Sequence, residues 1–233
     1  MHNGYISDFA KIKRKMCEQM TQEAYEHIQG GTDTEHFAAL LMSFLSPDIG
    51  KSTADAGDAS TSKSWDEYHS PSEFLSALRK TIETIITIQV SLLGTKAQPN
   101  DLNICLTDGR SLIACRFRNH ATEQPPSLYT STTAGVTLNR QFPDHPDGAQ
   151  GPHGSSKGKS PNGKIAAKGS EGHNPHARRD AGDHGKHFIV ASEPTTYKES
   201  EWTLIEKNKA VLVGEEGWLG IEELNDQVRD EVN

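Results

Sequence analysis

Four sets of residues in this 233-residue chain could do chemistry. The first is Asn3-Gly4, inside "MHNGYISDF". By itself an Asn-Gly pair reads as a type I′ hairpin turn, because both central positions need positive φ. Only Met1 and His2 precede it here, so there is little strand to turn back from. The second is "TDTE", Thr32–Glu35. A Thr followed three residues later by Glu has the spacing of a helix capping box, and it carries Asp33 at the first helical position. The third is the thiols Cys17, Cys105 and Cys115, and the fourth is the 11 histidines.

The thiols and imidazoles weaken on inspection. Three cysteines with no regular spacing do not make a disulfide framework. Cys105 and Cys115 lie in an apolar strand pattern, where a buried cysteine is an inert small hydrophobe. Cys17 lies on a helix among charges. All three are expected to be structural. His145, His153, His173, His176, His184 and His187 crowd one region. Their spacing is not that of a closed zinc site and no cysteine joins them. A His/Gly-rich linker is the stronger reading, and neither a metal nor a cofactor is expected.

The elements that must position these residues follow from periodicity. Ser7–Met20, Thr21–Gln29 and Thr32–Leu45 read as helices. Ser70–Leu93 is the clearest: Ser70 caps, Pro71 occupies the first position and Glu73 completes the box. Phe74, Leu78, Ile82, Ile85, Ile86 and Val90 then form one apolar stripe. Leu102–Phe117 reads as a hairpin with Asp108-Gly109 at its turn. Ser127–Thr133, His187–Glu193 and Asn208–Gly214 are further strands. Helices followed by strands suggest antiparallel sheet covered by helices, an α+β arrangement.

Two stretches, about 46–69 and 145–186, are rich in Gly, Ser, Lys, Asp and His. They lack the apolar surface to offset their ordering entropy and read as low-complexity insertions. They account for a hydrophobic content of 33% and a mean hydropathy of −0.66. Residues 215–233 form an acidic tail in which Trp218, Leu219 and Ile221 are suited to docking. A net charge of −8 argues against a nucleic-acid groove. "KIKRK" (Lys11–Lys15) reads as a solvated helix face. Residues 1–30 contain no signal-like apolar run, and nothing approaches the roughly 20 apolar residues of a membrane span. A soluble, cytoplasmic protein with no nucleic-acid or membrane partner is expected.

Taken together, "HNGYISDF", "TDTEH", "FRNHATEQPPSLYTSTTAGVTLNRQFPDHPDG" and "VASEPTTY…EW" resemble the type 2 glutamine amidotransferase family. Within it they resemble the amidotransferase-like subunit of the cytosolic glutathione-degrading complex. The resemblance covers nearly all of residues 1–214 outside the insertions. It implies the N-terminal-nucleophile αββα sandwich, two antiparallel sheets stacked between helices. It implies hydrolysis of a γ-glutamyl amide, either glutamine or glutathione, by a cysteine thiolate whose own α-amino group is the base. Asn3 and Gly4 match the oxyanion hole, and Asp33 matches the carboxylate that receives the substrate's α-ammonium group. Thr34, Ser192 and Glu193 are weaker matches. A second subunit resembling a zinc metallopeptidase is the implied partner.

The family's nucleophile, its first strands and an Arg-plus-His clamp would all lie before "HNG". The chain is therefore expected to start inside the domain, incomplete at its N-terminus, with Met1 an internal methionine. Cys115 in "CRF" is internal and has no α-amino group, so it is not a substitute. The alternative reading is a non-catalytic binding or scaffold fragment that keeps the oxyanion-hole and substrate-binding half.

Overall fold

The computed structural model describes residues 1–46, 65–134, 187–196 and 198–224. In chain order the elements are β1 (His2–Tyr5), α1 (Phe9–Cys17), α2 (Gln22–Glu26), α3 (Asp33–Leu45), α4 (Pro71–Leu93), β2 (Asp101–Thr107) and β3 (Leu112–Arg118). They continue with β4 (Tyr129–Ser131), β5 (Ile189–Ala191), β6 (Thr203–Leu204), β7 (Lys209–Val213) and β8 (Leu219–Glu223). The expected insertion at 145–186, with five of its six crowded histidines, lies outside the described residues, as does most of that at 46–69. His187 and Trp65–His69 are described. Trp65 donates its indole N–H to the Met42 carbonyl at 3.3 Å, so the end of the first insertion is packed against α3.

The chain forms two compact units, Met1–Ser127 with Ile205–Asn233, and Leu128–Leu204. The first contains a five-stranded antiparallel sheet in the order β1-β2-β3-β7-β8. Strand alternation sends Leu102, Ile104, Ile113, Cys115, Phe117, Ala210 and Leu212 to one face. There they pack with Ile12 and Met16 of α1, Phe37, Leu40 and Leu41 of α3, and Phe74, Leu78, Ile82 and Ile85 of α4. Each fully buried Leu, Ile or Phe contributes about 1.5–3 kcal/mol, which offsets the ordering of three amphipathic helices. The second unit contains a three-stranded antiparallel sheet, β5-β4-β6. Trp202 is buried in it, donating to Thr196 Oγ1 at 2.9 Å, and that hydroxyl donates in turn to Glu201. The α+β class with two antiparallel sheets is as expected.

Local chemistry explains the helix ends, with one correction. Ser70 and Glu73 form the full capping box on α4. A Ser70→Ala chain should lose about 1 kcal/mol, seen as a thermal midpoint lower by about 2–4 °C. On α3 only half of the expected box exists. Thr32 accepts from the Glu35 N–H, but Glu35 Oε1 accepts from the N–H groups of Gln29 (3.0 Å) and Gly30 (2.9 Å). The unpaired loop donors win the carboxylate because nothing else satisfies them. The hairpin turn is also longer than a two-residue I′ turn. It spans 108–111, with Asp108 Oδ1 accepting from the N–H groups of Arg110 and Ser111.

Part of the acidic tail pairs as a strand, with the side chains of Trp218, Leu219 and Ile221 exposed. Beyond Gly214 the chain adds β8 alongside β7. Trp218 folds its indole over Gly220, where a Cβ would lie 2.6 Å from Trp218 Cη2. Arg79 of α4 donates to the carbonyls of Glu223 and Leu224 and holds the strand's end. No described helix is long and apolar enough to cross a membrane.

Candidate functional site

Among the described residues β1 is an edge strand of its sheet, and the type I′ turn that an Asn-Gly pair taken alone would suggest does not form. The pair lies inside the strand, opposite Asn103 and Leu102. Gly is required there for two reasons. Gly4 has φ +137°, and a Cβ on it would lie 2.1 Å from the Asp101 carbonyl oxygen.

The hydrogen-bond register decides which way β1 points its donors. Met1 and Cys105 exchange both backbone bonds, at 2.7 and 2.9 Å. In an antiparallel ladder bonded and non-bonded pairs alternate. Asn3 therefore faces β2, and the N–H groups of His2 and Gly4 face the open edge. Ile6, next in that alternation, donates its N–H to Asp33 Oδ2 at 2.9 Å. Asp33 is thus anchored to the same edge as the Gly4 N–H, with about 7 Å of extended chain between the two donors. The Thr34 N–H holds Asp33 Oδ1 at 2.8 Å. Asp33 Oδ2 has one backbone donor and keeps a lone pair for a cationic ligand, whereas Oδ1 is also 3.5 Å from the Thr34 hydroxyl.

The Asn3 side chain is exposed, with no described hydrogen-bond partner for its amide. The edge therefore offers the Gly4 N–H as a free donor direction and the Asp33 carboxylate two residues further along the strand.

Three sets of contacts that the sequence pattern did not reveal, two of them buried, hold the edge in place. Where β1 ends, Ser7 donates its N–H to Asn100 Oδ1 at 2.9 Å and accepts at its carbonyl from Gln89 of α4 at 2.6 Å. Asn100 and Gln89 also exchange amide bonds with each other. Beside β1, Asn103 donates to the carbonyls of Pro126 and Ser127, and Arg116 donates to those of Pro125, Pro126 and Ile205. These contacts give "QPPS" a structural meaning: its carbonyls are tied to β2 and β3. Arg118 bridges Asp101 and Glu123.

His2 was quoted in the sequence reading only as the flank of Asn-Gly. Its Nδ1 lies 2.8 Å from Thr34 Oγ1, and its ring stacks on Phe37 at 6.2 Å between centroids. Burial pulls the imidazole below its ordinary value, opposed by Asp33 and the Asp101 carbonyl. Thr34, a weaker match in sequence, therefore lies between His2 and Asp33. Ser192 and Glu193 are exposed residues just after β5, in the other unit.

Two of the three cysteines, Cys105 and Cys115, are poor nucleophiles. Cys115 is fully buried in β3, and burial pushes its thiol up to about 12. Cys105 shares Asn3's sheet face, but burial raises its thiol as well. Cys17 is the last residue of α1. Among the described residues no three His, Cys, Asp or Glu side chains converge as a metal site.

No family model matches the chain. It is 26% identical over 218 residues to the probable glutamine amidotransferase DUG3 of Saccharomyces cerevisiae. That alignment takes in 91% of this chain and 48% of DUG3, so the chain spans about half the length of this curated relative. Among solved structures it is similar to a glutamine aminotransferase class-II domain protein from Silicibacter pomeroyi. The TM-score is 0.53 at 16% identity, over 96% of this chain and 66% of that one.

Proposed function

From its similarity to the type 2 glutamine amidotransferases, we propose that this chain is the oxyanion-hole and substrate-binding part of a γ-glutamyl amide hydrolase. The observation that supports this reading is that the Gly4 N–H and Asp33 lie along one edge of β1, the strand that also carries Asn3. In the proposed reaction a thiolate attacks the γ-carbonyl carbon and the carbonyl oxygen becomes an oxyanion. The Asn3 amide N–H and the Gly4 backbone N–H stabilise that oxygen, an arrangement whose single donors are typically worth about 10²–10³ in rate. The amine departs, and water releases glutamate from the thioester. Asp33 meanwhile holds the substrate's α-ammonium group, which selects γ-glutamyl groups with a free amine.

Cys17, Cys105 and Cys115 are internal residues with no free α-amino group to act as base, so none of the three is the proposed nucleophile. Glutathione, cleaved to glutamate and cysteinylglycine, is the proposed substrate of the whole protein, with glutamine as the alternative. A metallopeptidase-like subunit is its proposed partner and the cytoplasm its proposed location. The proposed architecture is the αββα N-terminal-nucleophile sandwich over residues 1–214, interrupted at 46–69 and 145–186 and continued by β8.

Two measurements test this reading. The 233-residue chain should bind L-glutamate, by calorimetry, and should turn over neither glutamine nor glutathione. Iodoacetamide-sensitive release of glutamate by this chain would overturn the exclusion of these three thiols. Absence of L-glutamate binding would remove the binding-half reading itself.

A further inference from the structure

The side chain that connects β1 to Asp33 is His2. Its Nδ1 is 2.8 Å from Thr34 Oγ1, and Thr34 Oγ1 is 3.5 Å from Asp33 Oδ1. The Thr34 backbone N–H already donates to that same oxygen. The ring stacks on Phe37 of α3.

A threonine hydroxyl has one proton to give. When His2 is neutral with Nδ1 as acceptor, that proton goes to the ring and Asp33 Oδ1 keeps a free lone pair. When His2 gains a proton at Nδ1, the N–H donates to Thr34 Oγ1 and the hydroxyl proton turns toward Asp33 Oδ1. The lone pair is then occupied, and a positive charge stands two side chains from the carboxylate. Both effects oppose a cationic ligand.

We propose that His2 is a positioning residue for Asp33, acting through the Thr34 hydroxyl, so that a proton on His2 and a ligand's ammonium group on Asp33 oppose each other. This inference rests on the reading of Asp33 as an ammonium acceptor. The groups facing His2 are few. Asp33 approaches from α3, the Met1 ammonium lies on its own strand, and the Asp101 carbonyl faces it from β2. The Asp101 carboxylate is engaged by Arg118. Because burial holds the ring below its ordinary value, His2 is neutral at neutral pH and the site is open there. Ligand affinity falls as pH drops through the His2 midpoint. By linkage, a bound ammonium group must lower that midpoint in turn.

The test is an NMR titration of the histidine rings in the full chain between pH 5 and 7.5, where L-glutamate keeps its charges. Asp33→Asn should lower the His2 midpoint, and so should saturating L-glutamate. The Kd for L-glutamate should rise by about threefold or more once pH falls below the measured His2 midpoint, and should stay level in His2→Gln. Thr34→Val should weaken the coupling without abolishing binding. L-glutamate binding through Asp33 whose pH dependence survives His2→Gln overturns the role of His2 alone. A His2 midpoint that responds to Asp33→Asn but not to L-glutamate overturns the ammonium reading of Asp33, and the opposition with it.

Discussion

A Gly4→Ala chain is expected to lose the β1 edge. The added Cβ would lie 2.1 Å from the Asp101 carbonyl oxygen and 2.8 Å from its carbon. Both atoms are backbone, fixed by the β2–β3 ladder, so neither can turn aside as a flexible side chain would. Alanine must also accept φ +137°, a region that costs a residue with a Cβ about 1–3 kcal/mol even in open space. Strain and clash together should destabilise the chain by about 3 kcal/mol or more. The relief available is for β1 to peel away, which frees the Ile6 N–H from Asp33. Denaturant unfolding should show the lowered midpoint. Hydrogen exchange should show lost protection at Asn3 and Tyr5 before any loss in β3. A Gly4→Ala chain with wild-type stability and intact β1 protection would refute this placement of the strand.

The second large effect is on binding. Asp33→Asn keeps the shape of the side chain and an oxygen to accept from Ile6, but removes the charge and sets an NH2 group against the Thr34 N–H. Truncating one partner of a hydrogen-bonded charge pair typically costs about 2–5 kcal/mol. L-glutamate affinity should therefore fall by about 10²-fold or more. Stability should change far less, because Thr32 still caps α3 through its own side chain. Calorimetry of the two proteins at neutral pH checks both halves. Equal affinity in wild type and Asp33→Asn would dissociate the carboxylate from ligand binding, whatever else the edge does.

The local features of this protein were readable from residues a few positions apart. α4 begins at Pro71 and ends at Leu93, as its cap and apolar stripe indicate, because caps and stripes are set by neighbours at three- and four-residue spacing. β2 and β3 follow from alternation and from Asp108-Gly109 for the same reason. Asn3, Gly4 and Asp33 were singled out through motif resemblance, not through any spatial argument. The strands of the second unit were legible only in outline. Ser127–Thr133 and His187–Glu193 shorten to Tyr129–Ser131 and Ile189–Ala191.

What the sequence by itself determined, then, is the set of elements: which stretches coil, which extend, which cannot bury a core, and which residue types are available for chemistry. The tertiary structure decided how those residues meet. Asn3-Gly4 became part of a strand, and not a turn, because Met1 bonds to Cys105, far along the chain. Glu35 left its capping role for the loop at Gln29 and Gly30. His2 found Thr34, and Ser7 found Asn100 across 93 positions. Trp218 and its neighbours turned a tail into β8. Each of these outcomes depends on pairing between segments whose separation no local pattern encodes. Such pairings are selected by the whole core at once, since an edge strand takes whichever partner leaves the fewest buried polar groups unsatisfied.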